Sequence, residues 1–148
     1  VHGAEDVRHA REYLTRQGAH IPLWPKIENA RAVEAVEEIM EVCQGVCVAR
    51  GDLGSELPLE ELPLVQKRIL GICHRRGIPC SVGGQLMDSM THNVVPLRAE
   101  VCDVANAVLD GADTLILSDE TSVGRHSLQV VEIVRRIADR VASSLNHL

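Results

Sequence analysis

The chain has 148 residues, of which 45% are hydrophobic and 24% are charged, and its formal net charge is −6. This length predicts one domain with a core of its own, and the acidic balance without a basic stripe excludes a nucleic-acid-binding protein. No apolar stretch is long enough to cross a membrane, and no signal or transit-like segment is visible, so no membrane is expected as a partner.

Helix-like and strand-like patterns alternate four times along the chain, and a last helix follows. The helices are predicted from Asp6 to Gly18, from Asn29 as the N-cap to Gly45, through residues 65–73 up to Gly77, through residues 101–108 up to Gly111, and through residues 130–141. The strands are predicted at residues 21–26, 46–49, 78–82 and 114–117, with a loop at 51–58. These strands lack polar alternation, which is typical of a parallel sheet buried on both faces.

The five cysteines predict free thiols. They are Cys43, Cys47, Cys73, Cys80 and Cys102. Their number is odd, none form a C-x-x-C pair, and most lie in apolar runs. Buried, reduced side chains are therefore favoured over disulfides.

Polar or glycine residues follow every predicted strand. They are Lys26 and Glu28, then Arg50 to Asp52, then Gly83 to Gln85, then Ser118 to Thr121. An open doubly wound sheet needs such residues only near its switch point, whereas every strand of a (β/α)8 barrel opens into one mouth. The pattern favours a parallel TIM barrel, of which four strands supply half.

The first two strand ends predict a site for phosphate or enolate chemistry. Lys26 and Glu28 are two residues apart in an extended segment, so their side chains share a face. Asp52 follows the next strand, and neighbouring strands lie roughly 4.8 Å apart. If these strands are neighbours, Glu28 and Asp52 can converge on one cation with Lys26 beside it.

Six segments resemble the pyruvate kinase family, in the family's order. They are residues 25–29 (PKIEN), 48–54 (VARGDLG), 85–90 (QLMDSM), 98–100 (RAE), 103–113 (DVANAVLDGAD) and 117–121 (LSDET). The resemblance covers nearly the whole chain. It implies that residues 1–148 are the second half of the catalytic barrel, strands five to eight with their helices. The lid and the carboxyl-terminal regulatory domain are then expected to lie outside this chain.

The resemblance also implies a reaction and a set of site residues. The family transfers a phosphoryl group between phosphoenolpyruvate and ADP, giving pyruvate and ATP in glycolysis. Lys26 resembles the catalytic lysine, and Glu28 and Asp52 resemble the ligands of Mg²⁺ or Mn²⁺. The peptide groups of Gly51 and Asp52, which would open a short helical turn, resemble the site of the substrate carboxylate. Gly84 lies at the position of a further substrate-binding residue.

Cofactors, partners and location follow from the same resemblance. It implies a K⁺ site formed by segments outside this chain, and a homo-oligomer, a tetramer, in the intact protein. Neither a nucleic acid nor a membrane is expected as a partner. A cytoplasmic enzyme is expected, or a plastid enzyme if a transit segment precedes these residues. The fragment alone is not expected to be active.

Three residues depart from the family pattern. Gly84 stands where the family has a substrate-contacting threonine, Asp119 replaces the glycine of Ser-Gly-Glu-Thr, and Pro25 replaces a serine. These changes remove a hydroxyl, add a negative charge and remove a backbone N–H. They keep a second hypothesis open, in which the protein is a weakened pyruvate kinase-like pseudoenzyme that binds ligands or assembles with partners. A third is a related Mg²⁺-dependent lyase or aldolase acting on a pyruvate enolate.

Overall fold

One parallel sheet of four strands organises the computed structural model, which describes residues 1–145. The strands are β1 (Lys26–Ile27), β2 (Val46–Ala49), β3 (Cys80–Gly83) and β4 (Thr114–Ile116). Each strand pairs with the next one along the chain, in the order β1-β2-β3-β4. The predicted α/β class and parallel sheet are therefore confirmed.

Helices connect successive strands and flank the sheet. They are α1 (Ala4–Arg16), α2 (Ala30–Glu34), α3 (Val36–Met40), α4 (Arg50–Glu56), α5 (Leu62–Arg76), α6 (Arg98–Leu109), α7 (Asp119–Ser122) and α8 (Ser127–Leu145). Two short 3-10 turns lie at Leu59–Glu61 and Asp88–Thr91. Within the described residues, no helix is both long and apolar enough to cross a bilayer.

Local sequence explains several helix ends. Asn29 caps α2, as predicted, because its side-chain oxygen accepts a hydrogen bond from the backbone N–H of Ala32 at 2.9 Å. The helix predicted to run on from Asn29 is divided at Ala35 into α2 and α3. Gly77 ends α5 in the left-handed conformation with φ of 64°, which glycine adopts without steric cost.

The first strand is shorter than predicted. The sequence predicted residues 21–26, but β1 comprises only Lys26–Ile27. Pro25 has no N–H to donate, and Leu23 makes its hydrogen bonds with the backbone and side chain of Gln44 instead of in a regular ladder. Proline thus lies just before an edge strand, where its missing donor costs little.

Residues 51–58 were predicted as a loop that opens with a short helical turn, but α4 occupies most of this segment. Two glycines and a proline suggested irregular backbone. The helix forms because Leu53 is fully buried in the main core, and this anchors a turn that local preferences alone would not stabilise. The chain therefore turns directly from β2 into a helix at the carboxyl edge of the sheet.

The main core lies on one face of the sheet. Side chains that alternate along the strands, including Val46, Val48 and Val82, pack there against the helices. A second core forms between α6, α8 and the segment after β3, with Met87, Val104 and Val130 among its members. Both cores are built from apolar side chains at helical or strand spacing, as the sequence predicted.

The opposite face of the sheet lines an open cavity of about 600 Å³. Its inward side chains are mostly small: Cys47, Ala49, Ser81, Gly83, Thr114 and Ile116. The described helices thus cover only one face, whereas an open doubly wound sheet carries helices on both. Strand order without reversal and a single helix-covered face are both features of a barrel segment.

All five cysteines are free thiols, as predicted. Cys47, Cys73 and Cys80 are buried, whereas Cys102 is exposed. A hydrogen bond with the Cys73 thiol, together with burial, raises the pKa of Cys80 above its usual value. Since the thiolate is the reactive form, Cys80 is a packing residue.

The isolated 148-residue chain should self-associate through its uncovered inner face. Two large apolar side chains, Ile116 and Trp24, line the cavity on that face and are 41% and 38% exposed. Sedimentation velocity should show concentration-dependent association that Ile116→Asp reduces. Val123→Asp, at a 73% exposed position after α7, should leave it unchanged. A sharp cooperative melt of a dilute, non-associating monomer would contradict this expectation.

Candidate active site

Three charged side chains meet where β1 and β2 end. Lys26 lies in β1, Glu28 directly follows that strand, and Asp52 lies in the first turn of α4, just after β2. The Lys26 ammonium is 2.9 Å from Glu28 Oε2 and 3.2 Å from Asp52 Oδ2. Parallel pairing of the strands brings together residues that are 24 to 26 positions apart in sequence.

The two carboxylates are close enough to serve one cation. Because both oxygens contact the same nitrogen, their separation cannot exceed the sum of those two contact distances. The ammonium shows that a single positive charge fits between Glu28 and Asp52. The described residues contain no group of three or more His, Cys, Asp and Glu side chains placed around a metal. Mg²⁺, however, commonly takes only one or two protein carboxylates and completes its shell with water and substrate oxygens.

The electrostatics of the cluster keep its members charged. Hydrogen bonds to Glu28 and then Asp52 raise the pKa of Lys26 above its usual value. The same ammonium holds the pKa of Glu28 below its usual range. Lys26 is therefore a permanent cation near neutral pH, suited to stabilise negative charge and unsuited to act as a base.

The cluster opens into the cavity on the inner face of the sheet. Lys26, Gly51, Asp52 and Gly84 all line it, while Glu28 adjoins it through its contact with Lys26. The structure therefore brings all five sequence-predicted site residues to one edge of the sheet. The arrangement can hold an anionic ligand through the ammonium and the glycine backbone, and a cation through the pair of carboxylates.

Comparison with known proteins decides the family. The family model for the pyruvate kinase barrel domain matches residues 1–131. The chain is 44% identical over 145 residues to the pyruvate kinase of Thermotoga maritima, covering 98% of this chain and 31% of that protein. It is 48% identical over 137 residues to that of Mycobacterium tuberculosis, covering 93% of this chain and 29% of that protein. The chain belongs to the pyruvate kinase family.

These residues match only part of a pyruvate kinase. The match to the Geobacillus stearothermophilus enzyme, at 44% identity over 148 residues, covers 99% of this chain but 25% of that protein. The chain thus spans about a quarter to a third of the length of these curated relatives. Its four-stranded sheet with one helix-covered face is a fragment of a TIM-barrel-like domain.

Gly84, one of the departures from the pyruvate kinase pattern, has a left-handed backbone. Its φ is +101°, and Gln85 follows with φ of +52°. A positive φ is uncommon for a residue other than glycine. Gly84 lines both the inner cavity and a groove between α5 and α6, whereas Gln85 lines the groove but not the cavity. The absence of a side chain at position 84 is therefore matched to the local backbone conformation.

The Ser118–Thr121 segment has a different arrangement from the one expected. Ser118 lines the inner cavity, but Asp119 is exposed and is not among the lining residues. Glu120 is only 1% exposed, and its carboxylate accepts hydrogen bonds from the Ser118 backbone and hydroxyl at 2.9 and 3.1 Å. Glu120 thus shapes the loop, and the charge at Asp119 lies outside the cavity.

Arg50 does not join the other strand-end residues at the mouth of the cavity. Its guanidinium makes a two-pronged ion pair with Asp103 of α6, at 2.7 and 2.8 Å, and donates to the Gly84 carbonyl at 2.7 Å. Its side chain is only 10% exposed. Arg50 was expected among the site residues because it follows a strand, and no local pattern indicates its distant partner.

A polar row on the inner face was not predicted from the sequence. Lys26 lies opposite Cys47, Cys47 opposite Ser81, and Ser81 opposite Thr114. All four residues line the cavity. Side chains alternate along a strand, so these positions can be identified as inward-facing from the sequence. That they lie opposite one another follows only from the register between the strands.

Removing the negative charge of Glu120 should destabilise the fold. Glu120→Gln would place an amide N–H₂ where the carboxylate now accepts from backbone N–H groups, leaving a buried donor unpaired at a cost of about 1–3 kcal/mol. Urea unfolding of the natural gene product that contains this chain measures the change. Glu132→Gln, at an exposed position of α8, should be neutral. Equal stabilities of the two variants would contradict a structural role for Glu120.

Proposed function

We propose that this chain forms part of the catalytic centre of a pyruvate kinase, which transfers a phosphoryl group between phosphoenolpyruvate and ADP. The observation that carries the proposal is the Lys26 ammonium between Glu28 and Asp52 at the carboxyl edge of the sheet. Phosphoryl transfer depends mainly on positioning and on neutralising charge around the moving group. A cation, two metal-binding carboxylates and open glycine backbone meet that requirement.

Lys26 is proposed as the catalytic residue. Its raised pKa keeps it protonated, so it can donate hydrogen bonds to the transferring phosphoryl group and to the enolate oxygen as negative charge develops there. The site is preorganised because β1 is paired with β2 and both carboxylates already orient the ammonium. Lys26 thus supplies charge without taking or giving up a proton.

Glu28 and Asp52 are proposed as the protein ligands of Mg²⁺ or Mn²⁺. Two carboxylates that already share one cationic partner fit the preference of these ions for a few carboxylates plus substrate oxygens. A divalent ion held there would neutralise charge on the substrate's phosphate and carboxylate oxygens. Glu28 is held ready as an anion by its lowered pKa.

We propose that the peptide groups of Gly51 and Asp52 bind the substrate carboxylate. Gly84 is proposed as a further substrate-binding residue. The peptide groups of Gly51 and Asp52 open α4 at the cavity, where backbone N–H groups can donate to an anion. Gly51 has open space where a side chain would lie, so a ligand can approach its backbone. Gly84 borders the same space.

The remaining features of the proposal rest on family membership. The four strands are proposed to be strands five to eight of the barrel, with residues 1–148 forming one part of that domain. We also propose a K⁺ site and a nucleotide site on segments outside this chain, a homotetramer, and action in the cytoplasm, or in a plastid. The matching relatives are pyruvate kinases, which supports these features without locating any of them on these residues.

Replacing Lys26 should abolish turnover while sparing metal binding. In the natural gene product, Lys26→Met should lower kcat by several orders of magnitude, because the developing negative charge loses its fixed cation. A lactate dehydrogenase-coupled assay measures kcat, and Mn²⁺ titration by electron paramagnetic resonance measures metal affinity. Lys67→Met is the control, since that lysine pairs with Asp110 away from the cluster. A normal kcat of Lys26→Met at saturating metal would contradict the catalytic role and show that Lys26 affects only the charge near the metal ligands.

Replacing either carboxylate should raise the metal requirement. Glu28→Gln and Asp52→Asn should each increase the Mg²⁺ concentration for half-maximal activity at least about tenfold, since each removes one anionic ligand. If both serve one ion, the double variant should be much less than additive. Glu38→Gln, on the exposed side of α3, should leave the requirement unchanged. Additive single effects would argue against a shared ion.

A pseudoenzyme remains the second candidate, and Gly84 is the observation that favours it. Loss of the threonine hydroxyl at this position removes a hydrogen bond to a charged group, worth roughly 1.5–3 kcal/mol, or about ten- to a hundredfold in rate. Asp119 is exposed and does not line the cavity, which weakens the second argument for inactivity. Pyruvate formation by the natural gene product, measured by the coupled assay, supports the first candidate. Metal and pyruvate binding without turnover supports the second. The lyase or aldolase hypothesis gains no support from membership in this family.

A further inference from the structure

The end of β3 lies directly against the end of β2. A Cβ atom built on Gly84 would lie 2.6 Å from the backbone nitrogen of Gly51 and 3.4 Å from its Cα. Both are backbone atoms, which cannot rotate away as the end of a side chain can. The φ of +101° at Gly84 would strain any other residue even without this contact. Position 84 therefore has neither the space nor the backbone conformation for a side chain.

Arg50 fixes the same contact from the outer side. Its guanidinium donates to the Gly84 carbonyl at 2.7 Å while it pairs with both carboxylate oxygens of Asp103. The same group donates to the Gln66 side chain of α5 at 3.2 Å. One nearly buried side chain thus links the residue before Gly51 to the end of β3 and to two helices.

We propose that Gly84 and Arg50 are positioning residues that fix the Gly51–Asp52 peptide for the substrate carboxylate. This inference rests on the proposed function for its catalytic consequence, although the backbone contact stands apart from it. Gly84 packs against the Gly51 nitrogen, and Arg50 holds the Gly84 carbonyl. This chain then requires glycine at position 84. A threonine there would displace the Gly51 backbone, so it would not restore the substrate contact of the family's threonine.

The planar guanidinium is essential to this arrangement. Arginine can form parallel hydrogen bonds to a carboxylate and still donate to a third acceptor, whereas the lysine ammonium is a point charge on a flexible stem. Arg50→Lys keeps the positive charge beside Asp103 but cannot hold Asp103, Gly84 and Gln66 together. That variant separates the role of geometry from the role of charge.

The test compares Gly84→Thr, Gly84→Ala and Arg50→Lys in the natural gene product. Each should raise KM for phosphoenolpyruvate and lower kcat/KM at least about tenfold, while KM for ADP changes less than about twofold. A displaced Gly51 peptide impairs the carboxylate contact and leaves nucleotide binding intact. Higher kcat/KM in Gly84→Thr than in the parent would overturn the proposal, as would equal changes in both KM values.

Gly111→Ala provides the matched control. Gly111 also has a left-handed backbone, with φ of +96°, but a Cβ there would meet no atom within 4 Å. Gly84→Ala should therefore lower the melting temperature more than Gly111→Ala, which measures the strain of positive φ alone. Equal shifts would overturn the contact between Gly84 and Gly51. If the parent makes no pyruvate, the proposed function fails, and the melting comparison still decides whether the contact exists.

Discussion

Parallel pairing between β1 and β2, with Lys26 opposite Cys47, fixes the distances on which the proposed chemistry depends. The side chains of a strand alternate between faces, so a slip of one residue would turn Lys26 toward the helix-covered core. An ammonium there would be buried without a partner, which is strongly unfavourable. Ile27, now fully buried, would then face the cavity. The apolar core thus enforces the register, and the register brings Lys26, Glu28 and Asp52 together.

The sequence was most informative where apolar periodicity and strand-end chemistry agreed. The bounds of β2 and the cap at Asn29 were predicted correctly, because each depends on residues within one element. The charged cluster was also predicted, since residues two apart share a face and parallel strands end at one edge. Its distances required the strand register, which no short motif contains.

The features that escaped prediction all depend on distant residues. Helix α4 forms in a glycine-rich segment because Leu53 reaches the core. Arg50 turns away from the cavity because Asp103, more than fifty positions later, is placed to receive it. The left-handed backbone of Gly84 could be suspected from the glycine itself, but its contact with Gly51 depends on how β2 and β3 align.

The small side chains of the inner face restrict how this protein can evolve. Cys47, Ala49, Ser81 and Gly83 occupy little of the space in front of the sheet. Because protein interiors are close-packed, any wall that closes over this face has to contribute the missing bulk. A larger residue at Cys47 or Ser81 would then be tolerated only if a facing side chain became smaller. These positions are expected to co-vary with residues far away in sequence, so their substitutions should be tolerated in pairs rather than singly.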